Sequence, residues 1–490
     1  MPFNSFTFAY FLIAVFLLYW FVFQRNLKLQ NFFIVVASYV FYAWGGWRFL
    51  FLIAFTSLCS WGSGLLIQNS KFKVQNSKFW LISNIVLNLL ILGVFKYYNF
   101  FITSFIDAFA LFDVSLQAHT LKIILPVGIS FYTFQALSYT IDVYRKRIEP
   151  TRDVVSFFAY VSFFPLLAAG PIERATNLLP QFYKKRTFDY AQAVDGLRQI
   201  LWGLFKKIVI ADNCAAFAND IFDGYAMYSG STLLLGAALF AFQIYGDFSG
   251  YSDIALGVAR LFGFNAMRNF NFPYFSRDIA EFWRRWHISL TTWFRDYIYI
   301  PLGGSRVSKA KIIRNTFVIF LVSGFWHGAN WTFIAWGAFH AVLFLPLILL
   351  NKNRKNTNLV AEGRILPSIK EFFQMLLTFL LTVIAWIFFR ADTISDAFRY
   401  IAKIFSQSLF AKPYVSDILL DRFFPKTDVL ALFAMIPLML VIEWLMRDKQ
   451  HGLQIDGIRS KPLRWAIYLG VLLLIWVFGG QQQAFIYFQF

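Results

Sequence analysis

The chain has 490 residues, of which 59% are hydrophobic, 21% aromatic and only 14% charged. Soluble proteins carry about 25% charged residues, so this composition excludes an ordinary soluble domain and indicates a polytopic membrane protein. The formal net charge of +19 would suit a nucleic-acid-binding protein. The Lys and Arg residues, however, lie in short loops between apolar runs, which is the positive-inside pattern of membrane proteins, and nucleic acid is not expected as a partner.

The two cysteines give no sign of redox or metal chemistry. Cys59 and Cys214 are far apart in the sequence, and each falls in an apolar run. Neither belongs to a cluster with the spacing of metal ligands or of a disulfide framework. The sequence therefore predicts no structural disulfide and no metal site.

Apolar runs of span length recur along the first 150 residues. They cover approximately residues 6–23, 31–45, 47–67, 79–101 and 123–143. Basic loops alternate with the acidic stretch 102–122, which we expect to be an outer loop. Because the first run is followed rather than preceded by basic residues, we expect an uncleaved span and not a signal peptide.

The alternation of charge breaks at residues 153–180. The clusters at 145–152 and 184–186 on either side are both basic. Between them, FFPLLAAGPIER (163–174) contains two prolines and a glycine, which interrupt a helix. Broken backbone at membrane depth survives only where it is buried in protein or lines a cavity. We therefore predict a re-entrant segment whose two ends both face the cytoplasm.

Two further stretches carry charge among apolar residues. Residues 190–213 mix basic and apolar side chains at helical spacing, which is typical of a partly interfacial helix. The apolar run 232–258 contains Asp247 and Asp253. Carboxylates six residues apart lie on different faces of a helix, so we expect structural hydrogen bonds inside the bundle and not shared acid–base catalysis.

Residues 277–304, RDIAEFWRRWHISLTTWFRDYIYIPLGG, have the pattern of one Trp-rich, basic helix lying in the membrane interface. In that helix His287 shares a row with Trp283, Leu290 and Phe294, so it faces the apolar side. A histidine there is either a satisfied core residue or part of a site. The spacing alone leaves both interpretations open.

SGFWHGANW, residues 323–331, lies between the apolar runs 314–326 and 332–350, whose outer ends are basic. This pattern predicts a membrane hairpin. At about 1.5 Å per residue, His327 would lie about 20 Å above Arg314, inside a hydrocarbon core about 30 Å thick. An ionisable side chain at that depth is costly and indicates function, and imidazole can act as a base and then an acid near neutral pH. The alternative is a bend histidine bonded to a backbone carbonyl.

The remaining apolar runs complete an all-α polytopic bundle. They lie at approximately 370–389, 429–446 and 464–480, with an outer loop at 391–428. The alternation of charges predicts roughly eleven to thirteen membrane segments and both termini outside. The chain ends in the aromatic tail QQQAFIYFQF.

Four motifs in this order resemble the membrane-bound O-acyltransferase family, and more narrowly its bacterial alginate O-acetyltransferase branch: GPIER, FWRRWHISLTTWFRDYIYIPLGG, SGFWHGANWTFIAWG and the terminal FIYFQF. The resemblance implies a single membrane domain over 1–490, with segments packed around a central tunnel. Within it we expect N-terminal spans (1–150), a catalytic core (151–350), and C-terminal spans with the tail (351–490).

The same resemblance implies site residues. The invariant histidine of the family matches His327, which would be the general base, and a second polar position matches His287. His287 would polarise the carbonyl of a thioester or orient His327, and the sequence does not separate these roles. Trp326 and Asn330 flank His327 and either shape the substrate tunnel or only contribute to packing.

The resemblance also implies acetyl-CoA as the acyl donor, with no bound cofactor. Its phosphates would be attracted by basic residues at the cytoplasmic face, which alternatively only set topology: Arg284, Arg285, Arg306, Lys309 and Lys311. The acetyl group would cross a bacterial inner membrane toward a polysaccharide hydroxyl, with a periplasmic acetyltransferase-type partner. A transporter or flippase, or a scaffold subunit of a polysaccharide export complex, are the alternatives, and neither requires thioester cleavage.

The tail follows a span predicted to end outside. Terminal residues fray unless something holds them, so we expect the tail to dock into an outer cavity of the same chain. Its only hydroxyl belongs to Tyr487. A similar motif ends a small partner protein in the related teichoic-acid system, which implies that Tyr487 receives the acetyl group with His327 as base. The alternative is an aromatic anchor at the membrane surface.

Overall fold

The computed structural model describes residues 1–69, 74–116, 120–168, 170–412 and 426–488. Within these ranges every regular element is a helix, and no strand occurs. In the part of the chain that the structure describes, five helices are long and apolar enough to cross a membrane: Trp47–Asn69, Asn76–Ala110, Gly230–Leu261, Trp331–Leu349 and Ile369–Arg390. Shorter apolar helices accompany them. The chain is therefore an all-α multi-pass membrane protein, and the predicted fold class is confirmed.

The chain divides into two compact units. The first comprises Met1–Ala193 with Val258–Met267, and the second comprises Val194–Gly257 with Arg268–Phe490. The α-helices up to residue 204 are α1 Phe6–Leu17, α2 Leu27–Ala43, α3 Leu50–Asn69, α4 Val74–Leu92, α5 Tyr98–Ala110, α6 Ile129–Tyr144, α7 Val154–Ser162, α8 Phe164–Leu167, α9 Ala175–Phe182 and α10 Tyr190–Leu204.

The later α-helices are α11 Asp212–Asp223, α12 Gly230–Leu261, α13 Ile279–Arg285, α14 Ile288–Phe294, α15 Lys309–His327, α16 Trp331–Leu349, α17 Ile369–Arg390, α18 Ile394–Ile404, α19 Lys426–Leu445 and α20 Lys461–Val477. Among the described residues, π-helical segments lie at Leu18–Val22, Gly93–Tyr97, Phe205–Ala211 and Arg295–Tyr299. Short 3-10 turns lie at Trp47–Phe49, Pro273–Phe275, Gln407–Phe410 and Ile486–Phe488.

In the first unit, α3, α4 and α6 meet around buried polar side chains. Asn84 on α4 donates to the Ser60 hydroxyl (3.2 Å) and accepts from the Thr140 hydroxyl (3.1 Å). Hydrogen bonds of this kind hold helices together in lipid, where apolar burial gives no net drive for association.

The predicted break at residues 153–180 is confirmed. Instead of one span, α7, α8 and α9 are short helices separated at Phe163 and after Leu167. The backbone comes close to the start of α6 here, because a Cβ at Gly128 would lie 2.4 Å from the carbonyl oxygen of Leu167. The membrane side on which the two ends emerge stays a prediction.

The predicted end of the fourth span at about residue 101 is wrong, whereas the outer side of 102–122 stays a prediction. α5 continues to Ala110, so Asp107 lies on a helix. The segment 102–110 contains neither Gly nor Pro, so nothing ends the helix where the apolar run ends. Charge marks a side of the membrane and not the end of a helix.

In the second unit α15 and α16 form the predicted pair of helices joined at SGFWHGANW, and α16 is one of the five candidate spans. That α15 also crosses the membrane stays a prediction. The two helices approach at two glycines, since a Cβ at Gly324 would lie 2.2 Å from the Phe333 carbonyl oxygen and one at Gly337 would lie 2.3 Å from that of Phe320. Small residues at such positions allow backbones to touch in membrane bundles. This contact fixes the end of α15, where His327 lies.

Candidate active site

His327 is the last residue of α15 and is 3% exposed. Its ring is enclosed by aromatic side chains from three helices. The ring centroids lie 5.0 Å from Trp326, 5.1 Å from Trp336 on α16 and 5.7 Å from Phe389 on α17. The imidazole therefore occupies a site that is largely shielded from solvent.

Asn330 and Trp326, the two flanking residues predicted for the substrate tunnel, have different surroundings. Asn330 is the N-cap of α16, where its side chain accepts from the Thr332 N–H (3.0 Å) and donates to the Asp392 carbonyl (3.1 Å). Those contacts give it a structural role. Trp326 is 4% exposed and packs beside both His327 and His287, so it forms part of the wall of the site.

The prediction of one continuous helix over 277–304 is wrong. α13 ends at Arg285 and α14 begins at Ile288, and His287 between them has a left-handed backbone with φ 41° and ψ 54°. A non-glycine residue in that region costs about 1–3 kcal/mol and persists only where its surroundings fix it. Such outliers are concentrated at functional sites.

The break at His287 is held from a distant segment. The Asn269 carbonyl accepts from the Ile288 N–H (2.8 Å), and the Arg285 carbonyl accepts from the Asn271 N–H (2.9 Å). The Ser289 hydroxyl also donates to the Asn269 side chain (2.6 Å). These bonds replace the helical ladder on both sides of His287 and turn its ring, which is 0% exposed, toward the end of α15.

Three sequence-predicted residues meet in the second unit. Between ring centroids, His287 and His327 are 6.2 Å apart, His327 and Tyr487 are 5.6 Å apart, and His287 and Tyr487 are 6.2 Å apart. Aromatic rings at such separations are in contact or nearly so. The fold thus brings two imidazoles and one phenol from three distant parts of the chain to one point.

Burial sets the protonation of two of these groups, which lie outside the five candidate spans. It lowers the pKa of the His287 imidazole to about 3, so this ring is neutral at physiological pH and has one N–H donor and one acceptor nitrogen. Loss of solvent also raises the pKa of the Tyr487 phenol well above its usual range. A phenol in that state needs a base before it can attack a carbonyl.

The five predicted phosphate-binding residues are not gathered at this point. Arg284 donates to the backbone carbonyls of Asn353 (3.0 Å) and Asn356 (2.8 Å). Arg285 is 7% exposed and forms an ion pair with Glu281 at 2.7 Å. The guanidinium groups of both residues are thus engaged within the chain.

Arg306, Lys309 and Lys311 are exposed and lie at or before the start of α15. His327 is at the other end of this helix. At about 1.5 Å per residue, Lys309 is about 27 Å from it along the axis, close to the thickness of a hydrocarbon core. Phosphates bound there would therefore lie far from the imidazoles, at the opposite end of α15.

Sequence reasoning missed His340. Its Nδ1 accepts from the Trp283 indole N–H (3.3 Å), and its ring lies 5.0 Å from Trp336, which in turn packs on His327. The available signal was the i, i+4 spacing of Trp336 and His340 on one face of α16. His340 thus forms part of the shell behind the site.

The expectation of an interfacial helix at 190–213 is wrong for its two central lysines. Lys206 and Lys207 lie in the π-helical segment and are 3% and 1% exposed. Lys206 pairs with Asp253 at 2.6 Å, whereas Lys207 pairs with Asp247 at 2.7 Å. The two carboxylates of α12 therefore have separate structural partners, as predicted from their spacing.

Comparison with known proteins gives a consistent set of matches. The family model of MBOAT, the membrane-bound O-acyltransferase family, matches residues 145–389, which include both His287 and His327. The chain is 41% identical to the probable alginate O-acetylase AlgI of Pseudomonas aeruginosa over 83% of this chain and 75% of that protein. It is 32% identical to the peptidoglycan O-acetyltransferase of Helicobacter pylori over 100% of this chain and 97% of that protein. With the teichoic acid D-alanyltransferase of Streptococcus thermophilus the identity is 30% over 44% of this chain and 55% of that protein.

Proposed function

Because the chain belongs to the membrane-bound O-acyltransferase family, we propose that this O-acyltransferase moves an acetyl group from cytoplasmic acetyl-CoA across a bacterial inner membrane toward a polysaccharide hydroxyl. The names of the relatives support acetyl as the group and a cell-surface polymer as the acceptor. Acetyl-CoA is made in the cytoplasm and such polymers lie outside it, so donor and final acceptor never meet. A protein that joins them has to pass the acetyl group through itself.

The observation that carries the proposal is the meeting of His287, His327 and Tyr487 within 5.6–6.2 Å between ring centroids. A base, a hydrogen-bond donor and a hydroxyl are the groups that acyl transfer from a thioester requires. Tyr487 supplies the hydroxyl from the chain itself. It therefore serves as the first acceptor of the acetyl group.

In the first step the Tyr487 oxygen attacks the thioester carbonyl while His327 takes the phenolic proton. The neutral His287 donates its N–H to the carbonyl oxygen, where negative charge develops. The carbon–sulfur bond then breaks, and the thiolate of CoA leaves with the proton held by His327. The products are acetyl-Tyr487 and free CoA.

In the second step a hydroxyl of the periplasmic partner attacks the acetyl ester. His327 takes the proton of this hydroxyl and returns it to the departing phenolate, so Tyr487 is regenerated. A phenolate is a far weaker base than an alkoxide, since phenol ionises near pH 10. The ester is therefore activated for onward transfer to an alcohol of the partner and then of the polysaccharide.

The donor would enter from the face that carries Arg306, Lys309 and Lys311. All three are exposed, and although Lys309 also donates to the Leu349 carbonyl (3.2 Å), their charges would attract the phosphates of CoA. The acetyl end would then extend along α15 toward His327. Arg284 and Arg285 support this site only indirectly, through the loop carbonyls and the carboxylate that they hold.

The test uses the purified full chain in lipid nanodiscs with acetyl-CoA, measuring thiol release and the mass of the C-terminal peptide. We expect acetylated Tyr487 in the wild-type protein and none in His327→Ala or Tyr487→Phe. A folded His327→Ala variant with near wild-type transfer would overturn the role of the histidine, as a transporter or scaffold requires. A second measurement is O-acetylation of the polymer in cells that express Tyr487→Phe at the wild-type level. Retained O-acetylation there would leave Tyr487 as an aromatic anchor and make His327 act directly on the final acceptor.

A further inference from the structure

The C-terminal tail is seated on a buried cluster of charge. Lys207 lies 2.8 Å from Asp212 and 2.7 Å from Asp247, and the three residues are 1%, 2% and 3% exposed. Removing such groups from water costs several kcal/mol per ion, and apolar side chains of similar size often stabilise a fold as well or better. The retention of charge here therefore needs another explanation than stability.

Two of these charged groups, Lys207 and Asp247, also bind the backbone of the C-terminal tail. The Lys207 ammonium donates to the backbone carbonyl of Gln483 (3.0 Å), and the Asp247 carboxylate accepts from the backbone N–H of Ile486 (2.7 Å). Both tail contacts are charge-assisted hydrogen bonds, which are stronger and more directional than neutral ones. They fix the tail at two backbone positions, and the second one is adjacent to Tyr487.

The neighbouring turns of α12 hold the tail side chains. The Tyr487 ring lies 4.3 Å from Phe248, and the Phe485 ring lies 4.2 Å from Tyr251, measured between centroids. Phe485 and Ile486 are 1% and 3% exposed. One face of α12 thus carries both the carboxylate that binds the tail backbone and the rings that receive its side chains.

A second pair of contacts fixes where the tail begins. The Asn213 side chain donates to the Phe478 carbonyl (2.8 Å), and the Ile208 carbonyl accepts from the Gly480 N–H (3.2 Å). Ile208 belongs to the same π-helical segment that carries Lys207, and Asn213 lies on α11, which follows that segment directly. An extended chain rises about 3.3 Å per residue, so a slip of one residue would carry Tyr487 away from His327.

We propose that Lys207 and Asp247 are positioning residues that hold the C-terminal tail in the register at which the Tyr487 hydroxyl meets His327. The use of that register for acyl transfer rests on the proposed function, whereas the holding of the tail does not. We call Lys207 and Asp247 together the clamp. Without the clamp the tail frays, as unheld termini do. The imidazoles then meet water in place of Tyr487.

The chain offers a matched control for this proposal. Lys206 and Asp253 form an adjacent buried pair between the same π-helical segment and α12, and they contact Tyr245 and Gln199. We therefore compare Lys207→Met/Asp247→Asn with Lys206→Met/Asp253→Asn. Each double variant removes one positive and one negative charge, so the net charge of the protein stays unchanged. Lys207→Met also leaves Asp212 without its cation, so the single variants Asp247→Asn and Asp253→Asn, which keep both lysines, are compared as well.

Hydrogen–deuterium exchange of the C-terminal peptide measures how firmly the tail is held. The rate of Tyr487 acetylation measures whether acyl transfer depends on that holding. In Lys207→Met/Asp247→Asn we expect tail exchange to rise at least tenfold. The kcat for Tyr487 acetylation should fall at least tenfold with an unchanged KM for acetyl-CoA, while His327-dependent thioester hydrolysis persists. The control should keep wild-type tail protection and wild-type acetylation per folded molecule.

Unchanged tail protection in Lys207→Met/Asp247→Asn would overturn the clamp, and so would an equal loss in the control. If the double variant does not fold, Asp247→Asn alone decides, because it removes the charge and keeps an acceptor oxygen for Ile486. We then expect a several-fold rise in tail exchange, and none in Asp253→Asn. If the wild-type chain never acetylates Tyr487, the proposed transfer through Tyr487 is refuted. The exchange data would still show whether Lys207 and Asp247 hold the tail.

Discussion

The close approach of α15 and α16 places His327, and Gly324→Ala tests how much that placement matters. The new Cβ would lie 2.2 Å from the Phe333 carbonyl oxygen, whereas ordinary van der Waals contact starts at 3.4 Å. Backbone cannot move aside as a flexible side chain does, so the two helices have to separate by about 1 Å.

Separating the two helices would displace His327 relative to Trp336. His327 follows Gly324 by one helical turn, and its ring packs on Trp336 of the opposing helix at 5.1 Å. A displacement of about 1 Å at a reacting group can cost about 100-fold in rate. We expect acetyl transfer to fall 10- to 100-fold, with a loss of about 1–3 kcal/mol in folding stability from overpacking.

The measurement is the kcat of CoA release at saturating acetyl-CoA, for equal amounts of monodisperse protein in nanodiscs. Gly470→Ala is the control, because Gly470 lies in α20 with nothing within 4 Å of the added Cβ. Alanine there should leave the rate unchanged and favour the helix by about 0.5–1 kcal/mol. A folded Gly324→Ala enzyme within twofold of the wild-type rate would refute the steric argument.

Three other predictions concern the burial of His287, the N-cap of α16 and the re-entrant segment at 153–180. Burial lowers the pKa of His287 to about 3, below the value of about 6.5 of an unfolded histidine, so below pH 6.5 the unfolded chain binds the proton better. The free energy of unfolding should therefore fall as pH drops from about 6.5 toward 3. Asparagine tolerates the left-handed backbone, so His287→Asn should weaken this pH dependence in thermal unfolding. The same variant should lower the transfer rate at least tenfold. Asn330→Ala should cost about 1 kcal/mol through the lost cap of α16 and keep measurable transfer, since Asn330 is engaged with Thr332 and Asp392. Single cysteines at positions 152 and 185 should both react with a reagent confined to the cytoplasmic side, and labelling from opposite sides would contradict the re-entrant segment.

The features that sequence predicted correctly are those that local pattern encodes. The hairpin of α15 and α16 follows from two apolar lengths with basic ends, and the break at 153–180 follows from its prolines and glycine. The position of His327 follows from the same pattern. None of these needs knowledge of a distant segment.

The features that sequence missed depend on distant partners. Residues 277–300 contain no Gly or Pro and have helical spacing throughout, yet Asn269 and Asn271 bind the backbone beside His287 and break the helix. The burial of Lys207 depends on Asp247, forty residues later, and on the tail. A charge pattern along one helix cannot distinguish such a lysine from one at the membrane surface.

The surroundings of His327 give a reason for the proposed use of Tyr487, a hydroxyl of the chain itself, as first acceptor. A thioester beside a general base is hydrolysed wherever water has access, so the aromatic shell of Trp326, Trp336 and Phe389 is a requirement of the chemistry. A shell that excludes water also excludes a bulky polysaccharide. A slender tail that carries the phenol of Tyr487 can enter where the polymer cannot, accept the acetyl group in the water-excluded site and present it as an activated ester. On this argument, the clamp at Lys207 and the shell around His327 serve one purpose, which is to let Tyr487 outcompete water.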